Sequence, residues 1–108
     1  MSNVNSNIAP PAIFAASLGR NGAVNCGISL TETQAVSFRQ LGLDVVICGT
    51  NLAANRQLAR KIESSANGHI KLCPPHKNAG RFALPHCQPD PRPPAGHTFY
   101  ETPKRQAF

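Results

Sequence analysis

Residues 43–73 have the sequence LDVVICGTNLAANRQLARKIESSANGHIKLC, which contains the clearest structural pattern in the chain. The first seven residues are mostly apolar and β-branched, a pattern that is typical of a buried strand. Ala54, Leu58 and Ile62 then recur with helical spacing. Residues 69–73 alternate in polarity and resemble a second strand. The stretch therefore predicts one βαβ unit.

The residues before this unit predict a hairpin followed by a helix. Two apolar runs, 12–18 and 23–30, flank an Asn-Gly pair, which is a common hairpin turn. A short helix over the first of these runs is the alternative, because alanine is frequent there. Thr31 and Gln34 have the spacing of a capping box at the start of a helix, and Gly42 fits the residue that ends it.

The spacing of this predicted helix also indicates its apolar face. Ala35, Phe38 and Leu41 lie on one side of it, and we expect that side to be buried.

The whole chain of 108 residues has the length of one domain. Residues 1–11 are rich in Asn, Ser and Pro and predict a flexible arm, so the domain comprises residues 12–108. Residues 85–94 contain too many prolines for a helix or a central strand, whereas 97–101 regain strand character. We expect an α/β or α+β fold: a small sheet with one βαβ unit, two helices on one face and an irregular Pro-rich C-terminal segment.

The composition favours an anionic partner. Eleven Lys and Arg against five Asp and Glu give a net charge of +6 and a pI near 9.7, so RNA, DNA or an acidic protein would be attracted. No stretch approaches the ~20 apolar residues of a membrane span, and no basic segment precedes a short apolar run at the N-terminus. We therefore expect no membrane partner and see no signal peptide.

The candidate chemistry lies in residues 69–101, which hold all four histidines. Two imidazoles at one site can divide the work of general base and general acid, as in metal-free cleavage of RNA. His86 and His97 are separated by a Pro-rich loop that could fold back and bring both to one cleft. Tyr100 or Glu101 would then orient an imidazole.

Five basic residues are candidates for contacts with phosphate. Lys71 or Arg81 would stabilise the negative charge that develops in the transition state, and Arg92 could do the same. Arg56 and Arg60 lie on the polar face of the predicted second helix. A solvated helix face is the default interpretation of this pair, and a contact with a nucleic acid backbone is the alternative.

A metal site is a weaker possibility, formed by Cys73, His76, His86 and Cys87. The two-residue gap in Cys73-Pro-Pro-His76 would let both residues bind one zinc ion. His86 and Cys87 are adjacent, however, which is a less usual arrangement for two ligands. We therefore expect neither a metal nor another cofactor.

The segments NAGRFALPH at 78–86 and RPPAGHTFYE at 92–101 together resemble the C-terminal toxin modules of bacterial polymorphic toxins, the variable tips of Rhs-like secreted proteins. The resemblance implies a small effector, often a nuclease, that is delivered as the tip of a larger protein and acts in the cytoplasm of a target cell. It also implies a cognate immunity protein. The motif-like positions are His86, Gly96, His97 and Tyr100.

These observations predict a nuclease-type toxin domain that cleaves RNA by histidine acid/base catalysis without a metal. It would be a secreted effector or a cytoplasmic protein. One alternative is a non-enzymatic basic module that binds nucleic acid or an acidic protein. Another is an enzyme acting on a nucleotide or NAD at Gly49-Thr50, where a strand runs into a helix N-terminus.

Overall fold

The structure, a computed structural model, describes residues 9–76 and 78–108. Within these residues it contains a six-stranded mixed sheet and two α-helices, so the domain is α+β. The arm predicted for residues 1–11 falls mostly outside the described residues, which exclude 1–8. The elements in chain order are β1 (Ala12–Leu18), β2 (Val24–Ser29), α1 (Glu32–Gln40), β3 (Val45–Cys48), α2 (Leu52–Asn67), β4 (Ile70–Cys73), β5 (His86–Pro89) and β6 (Thr98–Tyr100).

The N-terminal part forms the predicted hairpin and helix. β1 and β2 pair in antiparallel orientation across a 3₁₀ turn at Arg20–Gly22, so the alternative of a helix over 12–18 is wrong. α1 begins at a capping box, in which the Gln34 amide donates to the Thr31 hydroxyl and the Thr31 amide donates to the Gln34 side chain. Gly42 follows the helix with φ 81°, a conformation that glycine adopts readily.

α2 connects two strands that run in the same direction, as the βαβ pattern predicts. The strand order is β2-β1-β3-β6-β5-β4, with β3 parallel to β6 and the pairs β6–β5 and β5–β4 antiparallel. β3 and β4 are therefore parallel but are not neighbours. The two C-terminal strands are inserted between them, which makes the sheet mixed.

β5 lies inside the segment that was expected to be irregular. His86–Pro89 pairs with β4 on one side and β6 on the other, so the prediction of no central strand over 85–94 is wrong for these four residues. Proline occupies only the last position of this strand. The first three residues keep their amide donors, and a proline at a strand end disturbs the ladder least.

Both faces of the sheet are covered. The two helices pack on one face, where Val45 and Ile47 of β3 meet Ile62 of α2. On the opposite face Val46 and Phe99 pack with Leu84, and Ala107, near the C-terminus, lies against the same cluster. Alternate residues of one strand thus enter different cores, as strand geometry requires.

The buried face of α1 differs from the predicted one. Ala35 is fully buried as expected, but Leu41 is 75% exposed and Arg39 is fully buried. The Arg39 guanidinium forms an ion pair with Glu63 of α2, with 2.8 Å between Nε and Oε1, and neither side chain is exposed. A polar contact, rather than the expected apolar residue, therefore joins the two helices at this point.

This ion pair also reaches the sheet and its loops. Arg39 donates to the carbonyls of Leu43 and Ala95, and the Thr98 hydroxyl donates to Glu63 Oε1. Both charges therefore form further hydrogen bonds inside the protein, in addition to the ion pair itself. A buried charge that is paired and fully hydrogen-bonded is tolerated, whereas one left without its partner is costly.

Replacing Glu63 by Gln should destabilise the domain strongly. The substitution leaves the Arg39 charge buried without a counter-charge, and we expect the free energy of unfolding to fall by about 3–5 kcal/mol. Lys61→Gln is the matched control, because Lys61 and Glu32 form an exposed ion pair with N–O distance 3.1 Å. That variant should change stability by less than about 1 kcal/mol in urea denaturation. Equal effects of the two substitutions would contradict the assigned role of the buried pair.

Candidate active site

Three histidines meet on the sheet face opposite the helices. His86 begins β5, His97 immediately precedes β6, and His76 follows β4 in the loop that leads to β5. His86 pairs with Phe99, and His97 lies two residues earlier on the same face, so their side chains are diagonal neighbours. The ring centroids are 4.7 Å apart for His86 and His97 and 4.9 Å apart for His76 and His86. The predicted pair is therefore brought together, and a third histidine joins it.

His97 is oriented by a carboxylate that the sequence did not single out. Asp44 precedes β3, the parallel neighbour of β6, and Val45 is paired with Thr98. Asp44 Oδ1 accepts from the His97 amide at 2.8 Å and lies 3.1 Å from His97 Nδ1. Because an ionised carboxylate only accepts hydrogen bonds, Nδ1 carries the proton and Nε2 keeps a free lone pair.

Tyr100 and Glu101, the predicted orienting residues, do not contact the imidazoles. Tyr100 belongs to the core on the helix side of the sheet, because it alternates with Phe99. The Glu101 carboxylate accepts from the amides of Gly49 and Ala107. Tyr100 therefore packs in the core and Glu101 holds backbone amides, whereas Asp44 orients His97. The one available signal for Asp44 was an acidic residue at the start of an otherwise apolar strand.

His86 is the buried member of the cluster. Its side chain is fully buried, and Nε2 lies 3.1 Å from Gln88 Oε1, which also accepts from Arg92. Because Gln88 Oε1 is a carbonyl oxygen and can only accept, His86 Nε2 carries a proton and donates it. In the neutral ring Nδ1 then carries the lone pair. Nδ1 is buried and has no hydrogen-bond partner among the described residues. Burial, followed by the charge of the neighbouring His97, lowers the pKa of His86 from 6.5 to about 4.

A cavity of about 280 Å³ opens beside the cluster. His76 and His97 line it together with Phe99, Leu84 and residues of the Arg20–Gly22 turn. We call this space the histidine cavity. Two imidazoles thus face a volume large enough for a small group, while His86 lies behind them.

The basic candidates are distributed over several surfaces. Lys71 is exposed in β4 and is paired with Gln88, on the sheet face that carries His86. Arg92 donates to Gln88 and to the carbonyls of Pro94 and Gly96, so it braces the loop before His97. No hydrogen bond or ion pair joins either residue to an imidazole among the described contacts. Their predicted contact with substrate remains a prediction.

Arg81 lines a separate basic groove. This groove, of about 170 Å³, is formed by Arg81, Phe82, Lys104, Arg105, Gln106 and Phe108. Arg105 donates to the carbonyls of Arg81 and Ala83, and Ala83 also lines the histidine cavity. The basic groove and the histidine cavity therefore share one segment of chain.

Arg56 and Arg60 line a third space, of about 520 Å³, together with Tyr100 and Cys73. Both arginines are exposed on α2, as the sequence predicted. Because α2 covers the opposite face of the sheet, this space is separate from the histidine cavity. The structure does not bring these two residues to the imidazoles.

The four residues proposed as an alternative metal site do not converge. Cys87 points into the helix-side core because it follows His86 in the strand, and burial raises the pKa of its thiol to about 12. Among the described residues, the group that could hold a metal consists of His76, His86 and His97. The sequence thus identified two of these three candidate ligands and paired them with the wrong partners. Cys73 lies opposite His86 in the register but is not in this group.

The junction at Gly49 offers little to a phosphate. The Gly49 amide donates to Glu101 Oε1, and its carbonyl accepts from Asn55. Asn51, rather than Thr50, caps α2 through a hydrogen bond from the Ala54 amide. A carboxylate therefore already occupies the Gly49 amide, one of the donors that an anionic ligand would use.

Comparison of the chain with protein-family models, with curated proteins and with solved structures found no match.

The buried His86 should make the domain sensitive to acid. Its pKa of about 4 lies below the 6.5 of an unfolded chain, so the unfolded state binds this proton first. The folded state with neutral His86 therefore has its full stability above pH 6.5, and this contribution is lost as the pH falls towards 4. Between pH 7 and pH 5 we expect wild type to lose about 2 kcal/mol more unfolding free energy than His86→Phe, which cannot titrate.

Urea denaturation at several pH values measures this difference. His69→Gln serves as the control, because His69 is exposed and outside the cluster, and it should follow the wild-type pH dependence. The titratable groups near His86 are the same in wild type and in both variants. They are His76 and His97, whose rings lie against His86, and Asp44, which contacts His97. A His86→Phe curve parallel to wild type would contradict the assignment.

Proposed function

We propose that this chain is a nuclease-type domain that cleaves RNA by proton transfer at the histidine cluster, without a metal. The observation that carries the proposal is the Asp44–His97 pair, whose free Nε2 lies beside two further imidazoles at a cavity. A histidine held by a carboxylate at one nitrogen is a good general base at the other. The pair therefore suits removal of a proton from a hydroxyl group.

RNA contains the hydroxyl that this chemistry needs. In the proposed reaction His97 removes the proton of the ribose 2′-OH, the 2′-oxygen attacks the adjacent phosphorus, and the bond to the 5′-oxygen breaks. A second imidazole donates a proton to the departing 5′-oxygen, so the products are a 2′,3′-cyclic phosphate and a 5′-hydroxyl. One nitrogen of each of the three histidines lies within 4.8 Å of the others, which suits two oxygens on one phosphorus.

The acid role fits His76 better than His86. His86 has a pKa of about 4 and is neutral at pH 7, so it has no proton on Nδ1 to donate. His76 is exposed and lines the histidine cavity, where water and substrate can reach it. The proposal therefore changes the acid/base pair to His97 and His76, and His86 becomes a positioning residue packed between them.

The basic groove supports RNA as the substrate. Arg81, Lys104 and Arg105 supply positive charge there, and Phe82 and Phe108 supply aromatic surface. Single-stranded nucleic acid is commonly bound by such a combination, with phosphates on the cations and bases on the aromatic rings. Arg81 and Phe82 line this groove and the next residue, Ala83, lines the histidine cavity, so we propose that a bound strand follows this segment from one to the other.

The biological setting of a toxin rests on the resemblance of residues 78–101 to polymorphic toxin modules. A net charge of +6 agrees with an acidic immunity protein as well as with RNA. Among the described residues, no helix has the length and hydrophobicity to cross a membrane. The proposed site of action is the cytoplasm of a target cell.

The main alternative remains a basic module that binds nucleic acid without cleaving it. It predicts affinity that falls steeply with salt, together with no turnover. The carboxylate-held imidazole favours the enzyme, since a purely electrostatic surface has no use for it. The nucleotide- or NAD-directed alternative is disfavoured by the engagement of Gly49 with Glu101.

The test is cleavage of single-stranded RNA in EDTA at pH 7. We expect wild type to release 2′,3′-cyclic phosphate ends, and His97→Ala or His76→Ala to be slower by about 100-fold or more. Asp44→Asn keeps an acceptor for the His97 amide but removes the charge, and it should lower the rate by on the order of 100-fold. RNA fragments resolved on denaturing gels measure these rates.

Two control variants sharpen the test. His69→Ala removes an exposed histidine outside the cluster and should retain full activity. Glu101→Gln alters a residue that was predicted to orient an imidazole but that contacts the amides of Gly49 and Ala107 instead. Any loss of activity in this variant should match its loss of stability, and the pH dependence of cleavage should not change. Undiminished cleavage by His97→Ala, or no cleavage of RNA by folded wild type, would refute the proposal.

A further inference from the structure

We infer that His76, His86 and His97 form a binding site for a divalent transition metal of the zinc class, and that bound metal blocks their use as acid and base. The binding inference is independent of the proposed RNA cleavage. Only the inhibitory consequence rests on that function.

The first argument is the availability of lone pairs. Gln88 holds His86 Nε2 and Asp44 holds His97 Nδ1, so the opposite nitrogen of each ring is deprotonated and free. Histidines that bind metals commonly donate their second N–H to a carboxylate or an oxygen acceptor in this way, which fixes the tautomer. Each neutral ring is therefore held in the tautomer that can present a lone pair to a metal.

The second argument is the buried nitrogen of His86. Nδ1 is buried and has no hydrogen-bond partner among the described residues. A buried polar atom without a partner is costly, and metal coordination would remove that cost.

The third argument is geometric. One ring nitrogen of each histidine lies within 4.8 Å of the others. Two nitrogens bound to one tetrahedral zinc are about 3.4 Å apart, because each Zn–N bond is about 2.1 Å long. The most separated nitrogens must therefore approach each other by on the order of 1 Å. His76 is the exposed member, on the loop after β4, and can make this movement without disturbing the core.

The donor set determines the kind of metal. Three neutral imidazoles suit zinc, copper or nickel, whereas magnesium and calcium prefer oxygen ligands. Asp44 contributes a negative charge behind His97 and offsets part of the metal charge. Since the histidine cavity adjoins two of the rings, the fourth coordination position would be open to water.

Metal binding and acid/base catalysis exclude each other at these atoms. The His97 lone pair that would accept a proton is the one that would bind the metal. The domain would therefore cleave RNA in the presence of a chelator and lose activity when zinc occupies the cluster. Zinc would act as an inhibitor rather than as a cofactor.

The experiment titrates the chelator-treated full chain with Zn²⁺ by calorimetry and with Co²⁺ by visible absorption. We expect one ion per chain, absorption bands of Co²⁺ bound to nitrogen, and no binding of Mg²⁺. His76→Gln should weaken binding at least 10-fold without affecting folding, because this side chain is exposed. His86→Gln should do the same, and it must be compared at matched folded fraction.

Two control variants identify the ligands. His69→Gln and Cys73→Ser should bind Zn²⁺ like wild type, and the second tests whether a thiol rather than an imidazole holds the ion. The inference is overturned if saturable Zn²⁺ binding is absent, if His76→Gln binds as tightly as wild type, or if Cys73→Ser abolishes binding.

RNA cleavage measured beside the titration separates the two proposals. Loss of cleavage at the Zn²⁺ concentration that fills the site supports both. Zinc binding by a chain that never cleaves RNA refutes the proposed function and leaves the metal site standing. Cleavage without zinc binding refutes only the metal site, and cleavage that requires zinc refutes the metal-free mechanism and the inhibitory role.

Discussion

The Arg39–Glu63 ion pair holds the positions on which the candidate active site depends. Arg39 binds the carbonyls of Leu43 and Ala95, and Glu63 binds the Thr98 hydroxyl. Leu43 directly precedes Asp44. Ala95 lies two residues before His97, and Thr98 directly follows it. Two charges buried between the helices and the sheet therefore fix both ends of the Asp44–His97 contact. Because a buried pair holds its geometry only when both charges are satisfied, the same hydrogen bonds stabilise the fold and align the imidazole.

Strand alternation determines which polar residues share a surface. His86 and Cys87 are neighbours in sequence, yet one faces the histidine cluster and the other the helix-side core. His97 and Phe99 lie on the same face, whereas Tyr100 lies on the opposite one. The C-terminal segment therefore supplies two different environments from one short stretch of chain. The cavity beside the imidazoles lies on the face that carries no helices.

The sequence predicted the elements whose signals are local. The capping box at Thr31 and the strand–helix–strand pattern around α2 depend on residues within a few positions of each other, and both are present. The insertion of β5 and β6 beside β3 depends on pairing between distant segments, which no local pattern reveals. Asp44 was missed for the same reason, since its partner is 53 residues away. The pairing of His86 and His97 could be predicted because one Pro-rich loop connects them. The convergence of His76 on this pair and the orienting role of Asp44 depend on the register of the sheet.

The burial of His86 limits what the cluster can do. A protonated imidazole at this position would be desolvated and would lie against a second imidazole, so the ring is held neutral well below pH 7. His76 is exposed and His97 is partly exposed, so water and a bound group can reach both rings. In the proposed reaction the central ring stays neutral, and the two outer rings transfer the proton across a single bound group. The same neutrality leaves a free lone pair in the centre, and this lone pair makes the cluster receptive to a metal ion.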